Sequence, residues 1–320
     1  MTISILGAGA FGTSLAIALA KSYPVTLWAR NSEHAGEMQT DRENRRRLPE
    51  APFPEGLRIV SSMEDVAKSN LILIAVPMQL LGGFLEDNAQ ALAGKKLVAC
   101  CKGIDRTTGI GPIDLINTKV PSAIAAMLTG PSFAADIARG LPTALSIACA
   151  DEAACAALQS QLSTPALRLY RTTDVVGAQL GGALKNVIAI ACGAVMGAGL
   201  GESARAALMT RGFAEMNRFA MHFGAQRQTM AGLSGFGDLT LTCTSVLSRN
   251  YRYGLALGAG SQFDSTTTVE GAATSLAVHS LCQTHHLDMP ITQSIAAIVE
   301  ESSSVVAEIE NLLSRPLKEE

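Results

Sequence analysis

Six residues, Gly7-Ala8-Gly9-Ala10-Phe11-Gly12, constrain the fold of this chain more than any others. They stand between a β-rich run at 3–6 and a helical spacing of apolar residues over 11–21. A strand that turns on glycine and enters a helix opens a dinucleotide-binding βαβ unit. Gly7 makes the tight turn. Gly9 lets backbone approach a pyrophosphate. Gly12 lets helix and strand pack closely. The helix then aims free N–H groups and the positive end of its dipole at the phosphates.

The first half of the chain keeps this alternation. Strands are expected at 3–6, 25–29, 71–76, 96–101, 123–128, 143–148 and 167–170. Helices are expected at 11–21, 63–68, 80–92, 112–118, 133–139 and 152–162. Such alternation predicts an α/β fold, a Rossmann-type doubly wound and mostly parallel sheet. Residues 41–55 carry Arg42, Arg45, Arg46, Arg47 and three prolines. They read as a loop excursion whose basic run is a solvated surface rather than a phosphate site.

After Thr172-Thr173-Asp174 the strand signals fade. Helical spacing fills 175–198, 202–223, 226–233, 248–257, 271–285 and 290–300. The division expected is a dinucleotide-binding domain at 1–174 and an all-α C-terminal substrate and catalytic domain at 175–320. Asp174 is placed to cap the first of these helices. The tail at 315–320 is polar and expected to fray.

Composition excludes several classes. Lys+Arg 25 against Asp+Glu 28 gives a net charge of −3, so no positive field recruits nucleic acid. The longest apolar stretch, 187–200, is too short to span a bilayer and reads as a buried core helix. The first seven residues hold no basic leader and read as a strand, which points to a cytoplasmic protein. Seven cysteines without CxxC spacing read as buried, reduced thiols. There is no HExxH, and His285-His286 has no visible ligand partners, so no metal is expected.

Lys185 lies inside the apolar run 181–190. Burial disfavours an ammonium and lowers its pKa toward neutrality, where it can give and take a proton. The plainer alternative is a lysine that snorkels to water. Arg30, after the second strand, stands where NAD-specific proteins usually carry an acid. It favours a 2′-phosphate, hence NADP(H), although it could instead stack on adenine. Lys102 follows an apolar strand and precedes a glycine, at the crevice mouth or simply at the surface. Gly130-Pro131-Ser132-Phe133-Ala134 offers backbone N–H groups to a ligand or to a helix start. Asp238 sits in a glycine-rich, flexible loop. Ser248-Arg249-Asn250 suits a phosphate, or else is an N-cap with polar neighbours.

Together these segments resemble the NAD(P)-dependent sn-glycerol-3-phosphate dehydrogenase family, over nearly the whole chain. The resemblance rests on Gly7 to Gly12, Ala75-Val76-Pro77, Lys102-Gly103-Ile104, the Gly130 to Ala134 block, Gly182-Ala183-Leu184-Lys185-Asn186 and Gly237-Asp238-Leu239. It extends through Thr242-Cys243-Thr244-Ser245, Ser248-Arg249-Asn250 and Val269-Glu270-Gly271. It implies NADP(H) or NAD(H) as cofactor, with Gly7, Gly9, Ala10, Phe11, Gly12, Arg30, Lys102, Ala134, Arg249, Val269 and Glu270 around it. It implies a substrate site of Lys102, Gly130, Ser132, Lys185, Asp238, Ser248, Arg249 and Asn250. Lys185 is the implied proton donor and acceptor, with Lys102 and Asp238 beside it. Ala10 and Met78-Gln79 depart from the family pattern.

The implied reaction reduces dihydroxyacetone phosphate to sn-glycerol 3-phosphate, reversibly, for glycerophospholipid synthesis. A homodimer is compatible with this reading. Two alternatives compete: a related two-domain hydroxy-acid dehydrogenase, and a non-catalytic NADP(H) sensor. One electrostatic question is open in the sequence. Desolvation lowers the Lys185 pKa, and Asp238 raises it.

Overall fold

The computed structural model describes residues 1–265 and 267–316. β1 (Ile3–Leu6) turns into α1 (Ala10–Ala20), followed by β2 (Val25–Trp28) and α2 (Ser32–Asp41). A small hairpin comes next, β3 (Glu43–Asn44) with β4 (Leu48–Pro52), then β5 (Leu57–Val60), α3 (Met63–Val66) and β6 (Leu71–Ile74). α4 (Met78–Asp87), α5 (Ala89–Leu92), β7 (Lys96–Ala99), α6 (Pro112–Lys119), β8 (Ile124–Thr129) and α7 (Ala134–Arg139) follow. β9 (Thr143–Cys149), α8 (Glu152–Leu162) and β10 (Leu167–Thr172) complete the sheet half.

The large sheet runs β10-β9-β8-β7-β6-β1-β2-β5. Every pairing is parallel except β8 with β9. The chain winds outward from β1 through β2 to β5, then returns to β6 on the other side of β1. That reversal opens a crevice beyond the carboxyl ends of β1 and β6, where such sheets bind ligands. The strands β1, β2, β6 and β7 are buried on almost every residue, as a sheet covered by helices on both faces requires.

The stretch 41–55 corrects the sequence reading, for it holds a hairpin. Pro49 and Pro52 mask β4, which pairs only with the two-residue β3. Asn44 is buried and donates to the Ala8 carbonyl at 3.0 Å and to Thr13 Oγ1 at 2.8 Å. The hairpin is thereby pinned on the glycine turn. Of the basic run, Arg42 donates to the Pro54 and Leu57 carbonyls, Arg45 pairs with Asp41 and Glu43, and Arg46 pairs with Glu37.

Past β10 the described residues form helices. They are α9 (Val175–Gly197), α10 (Gly201–His222), α11 (Arg227–Ala231), a π-helical turn at Leu233–Gly237 and α12 (Asp238–Cys243). Then come α13 (Arg249–Gly258), α14 (Glu270–His285), α15 (Pro290–Val299) and α16 (Val305–Leu313). Asp174 caps α9 through Gly177 N at 2.8 Å, and its other oxygen takes Gln226 N at 2.8 Å. α9 is long and apolar enough to cross a membrane, but 89% of its apolar window is buried inside the fold. It is the axle of the helical half, with α10, α12, α13 and α14 packed around it.

Where α13 crosses α9, four glycines bring the two backbones into contact. Gly193 and Gly197 of α9 face the carbonyls of Tyr251 and Leu255, while Gly254 and Gly258 of α13 face those of Ile190 and Ala194. A Cβ at any of the four would overlap the opposing carbonyl oxygen. Interaxial distance follows the size of the residues at the crossing, and glycine lets these helices approach closely.

Glu215 of α10 is buried and accepts from Ile291 N at 2.7 Å and Thr292 N at 3.1 Å, which closes the first turn of α15. Burial pushes its carboxyl up to about 7. All seven cysteines are buried and free. The expected frayed tail lies partly outside the described residues, at 317–320. Arg315 itself is held, with both Asp288 oxygens at 2.9 Å.

Candidate active site

Four strands deliver their loops to one edge of the sheet. β1 ends at Gly7, whose φ of +109° is the left-handed backbone that glycine tolerates best. A Cβ there would meet the Ala75 carbonyl oxygen at 2.6 Å, so the turn also lies against the end of β6. Nothing lies within 4 Å of a Cβ built on Gly9, and no side chain caps α1 at that residue. The helix start is open, with unclaimed N–H groups. Phe11 and Ala10 are half-buried in its first turn, and Arg30 is exposed just past β2.

β7 ends toward Lys102 and β8 toward Gly130. The two meet, since Lys102 Nζ donates to the Gly130 carbonyl at 3.3 Å. Ser132 Oγ donates to the same carbonyl at 3.3 Å. Ala134 is the first residue of α7, which has no side-chain cap.

From the helical half, α9 contributes Lys185 and α12 contributes Asp238. Both are buried, and Asp238 is 1% exposed. The Asp238 loop of the sequence reading is corrected here. The π-helical turn leads directly into α12, and Asp238 is the first residue of that helix. Lys185 Nζ lies 3.0 Å from Asp238 Oδ1, and Lys102 pairs with Oδ2. Lys185 Nζ also donates to Thr242 Oγ1 at 2.6 Å, and that hydroxyl lies 3.3 Å from Asp238 Oδ1. One carboxylate thus joins a lysine from the sheet to a lysine from the helices.

The open electrostatic question is resolved. Burial draws the Lys185 pKa down to about 8, although Asp238 opposes it; the Lys102 charge adds to the lowering. Burial also pulls the Asp238 carboxyl upward, but the two ammonium groups outweigh it and hold it below the usual range. The Lys185 ammonium therefore persists at neutral pH and is near its titration point. An ammonium has three N–H donors. Two are engaged, and the third is available to an oxygen.

Ser248-Arg249-Asn250 divides its duties. Ser248 caps α13 through Tyr251 N at 3.2 Å. Asn250 accepts from Gly271 N at 2.9 Å and donates to Asn186 Oδ1 at 2.9 Å, tying α9 and α14 together. Arg249 is exposed at the first turn of α13. Val269 precedes α14 at its N-cap position without a side-chain cap, and Glu270 reaches across to accept from Met78 N at 3.2 Å, which closes the start of α4. Burial raises the Glu270 carboxyl, against the pull of Met78 N and Arg249.

The family models decide the relationship. That for the C-terminus of NAD-dependent glycerol-3-phosphate dehydrogenase matches residues 174–310, and that for its N-terminus matches 2–155. This chain belongs to the NAD-dependent glycerol-3-phosphate dehydrogenase family. It is 58% identical to glycerol-3-phosphate dehydrogenase [NAD(P)+] of Ruegeria sp. (strain TM1040), covering all of both chains. It is 59% identical to that of Roseobacter denitrificans, again over all of both. Among solved structures it superimposes on glycerol-3-phosphate dehydrogenase from Coxiella burnetii with a TM-score of 0.93, at 36% identity, covering 98% of this chain and 99% of that one. The fold expected from the sequence, a Rossmann-type sheet followed by helices, is that of the family. The chain is a nicotinamide-dependent oxidoreductase, which replaces both alternatives, a hydroxy-acid enzyme and a sensor. The glycine turn fits such a cofactor: the uncapped α1 and the open space over Gly9 leave room and donors for a pyrophosphate.

Sequence reasoning missed three residues around the site. Thr242 was quoted without a role. A helix through 238–243 would have put it one turn from Asp238, on the same face. Asn186 and Gln79 gain their importance from partners distant in sequence, for which no local signal exists.

Proposed function

We propose that this family member reduces dihydroxyacetone phosphate to sn-glycerol 3-phosphate, reversibly, with Lys185 as proton donor and acceptor. The observation that carries the proposal is the shared Asp238 carboxylate, which sets two lysines at the carboxyl edge of a dinucleotide-binding sheet. Bound NAD(P)H supplies the hydride. Gly7, Gly9, Ala10, Phe11 and Gly12 would hold its pyrophosphate end, and Arg30 its 2′ position. Ala134, Val269 and Glu270 would flank the rest.

The chain's own residues do the remaining work. Lys185 offers its third N–H to the carbonyl oxygen and releases that proton as the alkoxide forms. Lys102 adds positive charge beside the same oxygen. Asp238 and Thr242 hold the Lys185 ammonium in direction. Arg249 and the start of α13 anchor the phosphate, as a forked cation at a helix N-terminus does well. Ser248 accepts in its cap and keeps its own O–H to give. Asn250 keeps one N–H. Gly130 and Ser132 border the carbon chain. Anchoring the phosphate spends remote binding energy on placing the carbonyl.

The chain is further proposed to divide functionally at residue 174, to work in the cytoplasm as a homodimer and to feed glycerophospholipid synthesis. The test of the reaction is NADPH and NADH oxidation with dihydroxyacetone phosphate beside unphosphorylated dihydroxyacetone. Fast turnover of the phosphate ester alone supports the assignment. Equal rates, or none, would remove it.

A further inference from the structure

Met78-Gln79 opens α4 directly after Pro77, and the structure gives the pair a task. Gln79 is half-buried in the first turn of α4. Its Nε2 donates to the Ile104 carbonyl at 2.9 Å. Its Oε1 accepts from Arg106 N at 3.1 Å. One side-chain amide therefore grips the chain on both sides of Asp105. Asp105 is itself buried and folds the following loop, accepting from Thr107 N at 3.1 Å and from Thr108 N and Oγ1 at 2.8 Å. Met78 closes the near end. A Cβ built on Gly103 would lie 3.2 Å from Met78 Cγ and 3.2 Å from Thr274 Oγ1, so Gly103 is wedged between α4 and α14. Gly103 also has a φ of +139°, a backbone state that needs outside support. Lys102 is the next residue toward the N-terminus.

We propose that Gln79 is a positioning residue for Lys102. Its amide fixes the loop 104–106, the loop fixes Gly103, and Gly103 aims the Lys102 ammonium at Asp238. Asp105 between them bonds through its backbone to Ile110 O and Gly109 N, whereas among the described residues Ile104 O and Arg106 N have no hydrogen-bond partner besides Gln79. A hydrophobic isostere at 79 would leave both groups to water and free the loop to shift. Shifts of about 1 Å at a catalytic group cost up to about 100-fold in rate.

The proposal rests on the reading of Lys102 and Lys185 given above, and the test separates the two. Gln79→Leu and Gln79→Glu are compared with the wild type, each alone and in a Lys102→Ala background. Gln79→Glu retains the acceptor for Arg106 N but faces the Ile104 carbonyl with another acceptor. In the Lys102-containing protein, Gln79→Leu should lower kcat/KM for dihydroxyacetone phosphate by about 10- to 100-fold. Gln79→Glu should also lower it. The alkaline limb of the kcat/KM profile should move to higher pH, because the Lys102 charge that lowers the Lys185 pKa is no longer held near it. In the Lys102→Ala background neither substitution should cost more than about twofold, since coupled residues are not additive.

A purely structural glutamine would shift the melting temperature while leaving the pH limb in place, and its loss would multiply with that of Lys102→Ala. Either result overturns the proposal, as does full activity of both variants. An inactive wild type would instead overturn the reaction assigned above. Should Gln79→Leu fail to fold, Gln79→Glu carries the same comparison.

Discussion

Lys102 and Lys185 never share an oxygen: Lys185 takes Oδ1 of Asp238 and Lys102 takes Oδ2. The carboxylate therefore stands between the two lysine amines. With one carboxylate between two cations, the cluster keeps an excess positive charge in a buried place. Such charge is costly in a protein interior and attractive to an anionic ligand.

Lys185→Ala should remove turnover and keep cofactor binding. General acid catalysis contributes about 10²–10⁴ in rate. Steady-state assays and NADPH fluorescence titration on the same preparation give both quantities. A kcat within tenfold of the wild type would take the proton-transfer role away from Lys185.

The pH dependence follows from its value of about 8, which burial lowers from 10.5. Ketone reduction needs the ammonium, so kcat/KM should fall as pH rises through about 8. Alcohol oxidation needs the free amine and should rise through the same range. The same shift has a stability sign. Between 8 and 10.5 the unfolded chain binds more protons at this site, so the contribution of Lys185 to stability improves as pH rises there. Rates in both directions from pH 6 to 10 test the kinetic claim, and a reduction limb near 10.5 would contradict it.

Arg249→Ala should chiefly weaken recognition of the phosphate. Hydrogen bonds to charged groups contribute about 1.5–3 kcal/mol, or roughly 10- to 150-fold in kcat/KM. Unphosphorylated dihydroxyacetone does not use the guanidinium and should change little. Equal losses with both ketones would assign Arg249 to the cofactor or to folding.

Arg30→Asp should lower the NADPH to NADH preference. The substitution removes a cation from the 2′ position and adds an acceptor for a ribose hydroxyl. The ratio of kcat/KM for the two cofactors measures this. An unchanged ratio would mean that Arg30 does not read the 2′ position.

Glu215→Leu should destabilise the helical half without touching KM. It strands the buried Ile291 and Thr292 N–H groups at the start of α15. Each such orphan costs about 1–3 kcal/mol. Urea denaturation shows the loss. A midpoint within error of the wild type would mean that water or another group takes the two donors.

How far the sequence could be read depended on where the partners lie. α8 was placed to the residue because its apolar spacing is local, and in the structure Asp151 caps it. Lys185 was legible because a charge inside an apolar run is rare. β5 lies at the sheet edge, and the exposed Arg58 breaks the apolar run that marks the equally short inner strands. α12 was hidden by the glycines of the π-helical turn before it. The grip of Gln79 on the Lys102 loop and the Asn186–Asn250–Gly271 chain join residues from separate elements. Such bonds exist only once the elements have met.

The bare crossing of α9 and α13 gives the site a hard stop. Side chains at a helix crossing hop between rotamers and yield by fractions of an ångström, whereas peptide planes pressed together do not. Lys185 rides on one of these rods and Arg249 begins the other. The spacing of the helices that carry the proposed proton donor and the proposed phosphate anchor is thus set by main-chain contact at their crossing. A side chain added at any of the four glycines would push the two rods, and with them Lys185 and Arg249, apart.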